Sequence, residues 1–321
     1  MRNSLKISLI TPAGKQSRNG NRTTAVRWHD ILRRLGHEVI VATEYENEPV
    51  DAMIAVHAWR SAESIVRFKE RYPDRPLIVL LAGTDIYKFQ HSNPEETYHS
   101  MEIADALVCL HGLVHRDIPD RFHDKLHVVH QSALPLNRTR RPSRRTVDIC
   151  VIGHLREEKD PLRAAEAARQ LPADSRIRIV HLGKAHDESW AERARQEMAA
   201  NPRYDWRGEA PGWQVRRLYD SSHAMVLSSI MEGGANVLSE AVAADVPVIA
   251  SDISGSIGLL GDDYAGYYPV GDTAALANRL DRVEHDRDYL KTLTRQCRAR
   301  AELFKPEHEE AAWRSLLTTL A

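Results

Sequence analysis

Two glutamates with a glycine pair between them are the most chemically suggestive feature of this sequence. Glu232 and Glu240 have seven residues between them, and the run around them, from Val226 to Ser251, reads VLSSIMEGGANVLSEAVAADVPVIAS. An apolar strand ends at Ser228-Ser229, Gly233-Gly234 lead into a helix, and a second strand closes the run. Glycines let a backbone approach a ligand closely. The amides of Ala235, Asn236 and Val237, at the helix N-terminus with the macrodipole behind them, form an anion site. Glu232 precedes the helix and Glu240 falls on its second turn, so one carboxylate can meet a sugar while the other accepts hydrogen bonds from ribose hydroxyls. A generic strand–loop–helix with two surface carboxylates is the plainer alternative. The glycine pair and the closing strand together weigh against it.

Four further segments follow apolar strands. VIGHLREEKDP, from Val151 to Pro161, is a strand, a glycine turn and a helix start, again a geometry suited to an anion. Glu157 and Glu158 would equally fit a solvated helix N-terminus. TPAGKQSRNGNRTTAVRW, from Thr11 to Trp28, is a loop rich in Gly and Arg that feeds a helix and suits phosphate or another small anion. It lacks the Gly-Lys-[Ser/Thr] ending of a P-loop. HAWRSA, from His57, and AGTDIY, from Ala82, complete the set. His57, Thr84 and Asp85 are candidates for orienting a sugar or for proton transfer. A capped structural histidine and a helix-capping Thr-Asp pair are the bland readings.

Other features carry less. Asp286-Arg287-Asp288 has the spacing of a metal-binding DxD but sits in a late charged helical stretch, where solvation is expected. His111 and His115 stand four apart without a third ligand, so no metal site is expected. Gly255, Gly258 and Gly261 recur every third residue and are expected in a turn-rich loop.

The elements that must position these residues form two series. At 321 residues the chain suits two domains of ordinary size. In the first half, strand-like runs (Leu5–Ile10, Glu38–Ala42, Asp51–His57, Pro76–Leu81, Asp105–Leu110, Leu126–His130) alternate with helical patterns at Thr23–Leu35, at Ser61–Arg71 and from Pro94. Strands separated by helices imply a parallel sheet covered on both faces. Gln131 to Thr146, with two prolines and five arginines, breaks the rhythm and is expected to be a solvated linker. Alternation restarts at Val147–Ile152 and continues through helices at Asp160–Gln170, Glu188–Ala200, Gly212–Ser221 and Asn236–Ala244 to a helical stretch from Thr273. The expected domains are 1–135, a linker at 136–146, and 147–304. A last helix from about residue 305, holding Trp313, would return to the first. Sites are expected at the carboxyl ends of the strands.

Composition removes several function classes. Lys and Arg total 44 against 45 Asp and Glu, so no overall field recruits nucleic acid or an anionic membrane. No run approaches the ~20 apolar residues of a membrane span, and no basic amphipathic face argues for a lipid acceptor. Three widely spaced cysteines, Cys109, Cys150 and Cys297, suggest no oxidising compartment. A cytoplasmic protein is the expectation.

Glu232, Glu240 and the run AVAADVPVIAS resemble the donor signature of family 4 glycosyltransferases of the GT-B fold. The resemblance implies an α/β architecture of two Rossmann-like doubly wound domains facing each other across a cleft. It implies that Glu232 faces the transferred sugar, that the loop amides of Gly233, Gly234, Ala235, Asn236 and Val237 hold a diphosphate, and that Glu240 holds the ribose. An Arg and a Lys would neutralise the leaving diphosphate without metal or other cofactor. Lys159 matches by spacing. His154 stands at the usual Arg position, and Arg156 is the expected partner of Lys159.

GNRTTAVRW, VHAWRSAES, AGTDIY and GHLREEKDP together resemble the selenosugar synthases (SenB) of selenoneine biosynthesis over essentially the whole chain. That resemblance implies a transferase joining selenophosphate to a UDP-sugar, UDP-N-acetylglucosamine or UDP-glucose, with release of UDP and phosphate. A small polyanion with an already charged nucleophile needs a cationic pocket, and Arg18, Arg22, Arg27 and Arg60 lie in suitable loops beside Gly20, Asn21 and Thr84. Asp85 and His57 would assist the chemistry. An ordinary glycosyltransferase with a hydroxyl acceptor and a non-catalytic nucleotide-sugar-binding protein are the competing expectations.

Overall fold

Six short apolar runs in the first 130 residues become six parallel strands: β1 (Lys6–Ile10), β2 (Glu38–Ala42), β3 (Ala52–Val56), β4 (Leu77–Leu80), β5 (Ala106–Cys109) and β6 (Leu126–Val128). The computed structural model describes residues 4–17 and 20–320. In it the strands are ordered β2-β1-β3-β4-β5-β6. Side chains alternate between faces along each strand. In β3, Ala52, Ile54 and Val56 pack with Trp28 and Leu32, whereas Met53 and Ala55 pack with Ile65 and Phe68 on the other side. Both faces are therefore covered, the condition for an all-parallel sheet.

The second sheet contains β7 (Val147–Ile152), β8 (Ile177–Leu182), β9 (Tyr204–Trp206), β10 (Ala224–Leu227), β11 (Val248–Ser251) and β12 (Tyr267–Tyr268). Its order is β12-β11-β10-β7-β8-β9, again parallel throughout. The chain divides into two units along these sheets. The first also takes in the loop Glu232–Ala235 and the segment from Pro306; the second spans Ser132–Met231 and Asn236–Lys305. No helix among the described residues is long and apolar enough to cross a membrane.

Helix Pro306–Leu320 belongs to the first unit through a specific buried contact. Trp313 meets Trp28 edge to face, with ring centroids 4.6 Å apart. The fully buried Glu309 accepts from Trp28 Nε1 at 2.8 Å and pairs with Arg27 at 3.1 Å.

Several expectations change. The first helix begins at Gly20 and runs to Arg34, so Gly20, Asn21 and Arg22 form its first turn and are not loop residues. The helix expected from Asp160 starts at Arg163, because a single turn of 3₁₀ helix, Glu157–Lys159, ends with Asp160 in the left-handed region at φ 42°. Gly255 and Gly258 lie inside helix Ser254–Leu260, and Gly261 ends it at φ 94°, a backbone angle that favours glycine. The stretch from Thr273 is three helices. Asp286 caps the second of them, accepting from the backbone of Asp288 and Tyr289 while pairing with Arg282, so the DxD spacing is a helix cap. The arginine-rich run is bonded to protein: Arg138 pairs with Asp220, and Arg140 donates to the Ser222 carbonyl at the end of helix Gly212–Ser221. Carbonyls at a helix C-terminus attract cations.

Candidate functional site

In each sheet the first strand has neighbours on both sides, which creates a switch point where loops diverge and a crevice forms. In the second unit that point lies between β7 and β10. The loops leaving these strands are Gly153–Asp160 and Ser228–Ala235, the two segments singled out by sequence. They are tied together. Ser228 Oγ donates to the carbonyls of Lys159 and Asp160 at 3.0 and 2.9 Å, and the Ile230 amide donates to Glu158. Lys159 and Arg156 are thereby fixed beside the loop that begins at β10.

The cation question at residue 154 has an electrostatic answer. Burial lowers the His154 pKa, and Arg156 lowers it further, against a smaller opposing pull from Glu209. Its Nδ1 accepts the Lys184 amide at 3.2 Å, so at neutral pH the ring is an uncharged Nε2–H tautomer. The guanidinium of Arg156, two residues on, is the nearby cation that disfavours a charged His154. Its nearest ion-pair partner, Glu158, is 3.9 Å away, and its buried Nε has no hydrogen-bond partner among the described residues.

Helix Asn236–Ala243 carries Glu240 on its second turn, as its spacing predicts. The buried Tyr219 hydroxyl lies 3.3 Å from Glu240 Oε2 and 3.2 Å from the Val237 carbonyl, so it orients this carboxylate from behind. Gly233, Gly234, Ala235 and Asn236 lead into this helix, and Glu232 is half-buried before them. A Cβ on Gly233 would stand 2.5–2.6 Å from backbone atoms of Ala82 and Gly83, and one on Gly234 would stand 2.4 Å from Leu110 Cβ. The glycine pair thus seats the loop against the ends of β4 and β5.

At the carboxyl edge of the first sheet, Asp85 is fully buried and accepts four backbone N–H groups. Ala58 and Ala82 donate to Oδ2 at 3.1 and 2.9 Å; Gly83 and Ile86 donate to Oδ1 at 2.7 and 3.2 Å. It clamps the loop after β3 to the loop after β4. His57 sits in the left-handed region at φ 81°, an uncommon conformation for a non-glycine residue and one found at functional sites. Burial holds it below the ordinary imidazole range, outweighing the pull of Asp85. The Arg60 amide donates to Nδ1 at 3.2 Å, which leaves the proton on Nε2, 2.8 Å from Thr84 Oγ1. Thr84, His57 and Asp85 have the outline of a nucleophile–base–carboxylate chain. The chain is not joined by hydrogen bonds: Nδ1 lies 3.8 Å from Asp85, beyond hydrogen-bond reach, and is already an acceptor. His57 instead fixes Thr84, whose hydroxyl proton points elsewhere.

Arg60 is exposed and lies over the stacked pair Trp59 and Phe89, 5.4 Å from the Phe89 ring. Gly20, Asn21 and Arg22 open a 15-residue helix with no acidic residue in its first turn, a suitable anion site. Arg27 is committed to Glu309, a buried partner 282 residues further along the chain. Arg18 lies outside the described residues. Tyr219 was not singled out by sequence: it belongs to no motif, and only the packing of helix Gly212–Ser221 brings it to Glu240. Ser228 lies within the run quoted above, but its bonds to the Lys159 and Asp160 carbonyls come only from the fold. No group of three or more metal-ligating side chains occurs among the described residues.

The chain is similar over 98% of its length to sucrose-phosphate synthase from Thermosynechococcus elongatus, at TM-score 0.79 and 16% identity, covering 98% of that chain. It is similar to Anabaena HepE in complex with UDP and glucose at TM-score 0.77 and 14% identity, covering 98% of this chain and all of that one. At these identities the likeness concerns the fold, two parallel α/β sheets of the GT-B type. A colanic acid biosynthesis glycosyltransferase of Escherichia coli K12, WcaL, is 29% identical over 170 residues, 49% of this chain. The chain spans 41% of that relative's length. The family model for group 1 glycosyl transferases matches residues 138–302, more than half of the sequence and the whole of the Glu232–Glu240 region. The chain belongs to the group 1 glycosyl transferase family.

Proposed function

We propose that the protein joins selenophosphate to the anomeric carbon of a UDP-sugar, in selenoneine biosynthesis. The selenium–carbon bond forms as the bond from C1 to the diphosphate oxygen breaks, and UDP departs with the electron pair. Hydrolysis of the phosphorus–selenium bond then gives phosphate and the 1-selenosugar. Lys159, Arg156 and the amides from Gly233 to Val237 stabilise charge developing on UDP. Glu240, oriented by Tyr219, holds the ribose, and Glu232 faces the sugar. Arg22 at its helix N-terminus, with Gly20 and Asn21, together with Arg60 and the Thr84 hydroxyl, holds the acceptor anion. Asp85 and His57 act by positioning.

The observation that carries this reading is the commitment of the two acceptor-side groups expected to move protons. Asp85 is saturated by backbone donors, and His57 is neutral with both ring nitrogens engaged. A hydroxyl acceptor calls for a base; selenophosphate arrives already charged. The donor side is supported by the family match and by relatives solved with UDP and UDP-glucose. The WcaL similarity favours a second reading, a hydroxyl acceptor.

The test incubates the protein with UDP-N-acetylglucosamine or UDP-glucose, with and without selenophosphate, and measures UDP and selenium-containing sugar by mass spectrometry. Both products should appear together. UDP release only with a hydroxyl acceptor sinks the selenosugar reading, and donor binding without release under any condition sinks both enzymatic readings. Arg22→Ala should raise the KM for selenophosphate and leave donor affinity unchanged.

A further inference from the structure

The carboxyl edge of the first sheet holds a buried donor that the fold leaves unsatisfied. His111 follows β5 and is fully buried. Its Nδ1 accepts the Leu113 amide at 3.2 Å, which places the ring proton on Nε2. That nitrogen is buried and has no hydrogen-bond partner among the described residues. Burial holds the ring at about 4, with His130 adding to the effect, so the imidazole is a neutral donor at physiological pH. Native structures rarely leave such a group unpaired. Thr11 Oγ1, at the end of β1, is a second orphan on the same edge. Between these two strands in the sheet lie β3 and β4, whose ends carry His57 and Thr84.

His111 also adjoins the residue on which the Glu232–Ala235 loop rests. It comes one residue after Leu110, against whose Cβ Gly234 is packed. The loop Glu232–Ala235 has neither helical nor strand pairing, and its two glycines allow it to change course.

We propose that His111 is an acceptor-binding residue whose Nε2–H donates to a phosphoryl oxygen of the acceptor when the Glu232–Ala235 loop lifts from Leu110. The assignment rests on the selenophosphate reading. It adds a neutral donor to the cations on that side, and a donor that carries no charge does not draw in the UDP leaving group.

His111→Asn is the decisive variant. Its Oδ1 can take the place of Nδ1 and keep the Leu113 amide bonded, while no atom occupies the Nε2 position. The KM for selenophosphate should rise about tenfold, as expected for one hydrogen bond to a charged group. The Kd for the UDP-sugar should not change, and Tm should fall only modestly, because the smaller asparagine leaves a small cavity and its own amide N–H groups are buried there. His111→Gln, whose amide nitrogen reaches the Nε2 position, should restore part of the loss. A His111→Asn enzyme with wild-type KM, or one whose only change is a large fall in Tm, overturns the inference and leaves the function reading intact. A wild-type protein inert toward selenophosphate but active on a hydroxyl acceptor overturns both.

Discussion

Replacing Asp85 by asparagine separates a clamp from a base. The carboxylate presents two acceptor oxygens to four backbone N–H groups, two on each oxygen, with its side chain fully buried. An asparagine in the same rotamer offers one acceptor oxygen and one NH2 group. Whichever way the amide turns, two backbone donors face a donor. Each buried donor left unsatisfied costs about 1–3 kcal/mol, so Asp85→Asn should destabilise the first unit by roughly 2–6 kcal/mol. At about 2–4 °C per kcal/mol for a unit of this size, Tm should fall by roughly 5–20 °C. Thermal unfolding followed by circular dichroism measures the fall. Activity assayed well below the new Tm should drop through loss of loop order, with an unchanged pH–rate profile. A variant that unfolds at the wild-type temperature, yet loses kcat and one limb of the pH–rate profile, would refute the clamp and restore Asp85 as a proton-transfer group.

Three other outcomes follow from the same geometry. Tyr219→Phe should raise the Kd for UDP-sugar about tenfold, because Glu240 loses a hydrogen bond that fixes its carboxylate; calorimetric titration measures it. Glu309→Ala leaves Arg27 and Trp28 Nε1 without their buried partner and should cost about 3–5 kcal/mol in denaturant unfolding, while Arg27→Met should lower stability without changing the acceptor KM. Stability should also fall on the acid side of neutrality. His111 and His181 are each held at about 4, chiefly by burial, below the ordinary value of 6.5. A depressed histidine pKa contributes stability that is present above 6.5 and lost as pH falls toward 4, on the order of 3 kcal/mol for each ring at pH 4. Tm measured from pH 7.5 to 4 should decline through that window, and His181→Asn should make the decline shallower.

Much of the architecture was legible because alternating apolar strands and amphipathic helices leave a periodic record. Helices Glu188–Ala200 and Gly212–Ser221 fall where the pattern places them. The second-turn position of Glu240 follows from its distance past the glycine pair. Boundaries moved where local chemistry overrode periodicity. Asp160 turns left-handed because Arg163 holds its carboxylate and Ser228 its carbonyl. Gly255 and Gly258 are helical although glycine spacing suggested turns, because Leu259 and Leu260 supply a buried face.

The sequence by itself determined the chemistry that the Glu232–Glu240 segment offers. Its residue types, glycines and spacing are local, and a loop entering a helix binds anions through backbone geometry that needs no distant partner. Tertiary structure decided what each ionisable group is free to do. Arg27 could bind an anion until Glu309, far along the chain, was brought against it. His154 could be a cation until burial and Arg156 removed its charge. Asp85 could be a base until four backbone donors converged on it. Protonation and hydrogen-bond commitment depend on which groups the fold brings within a few ångströms, and those groups come from segments that sequence spacing does not connect.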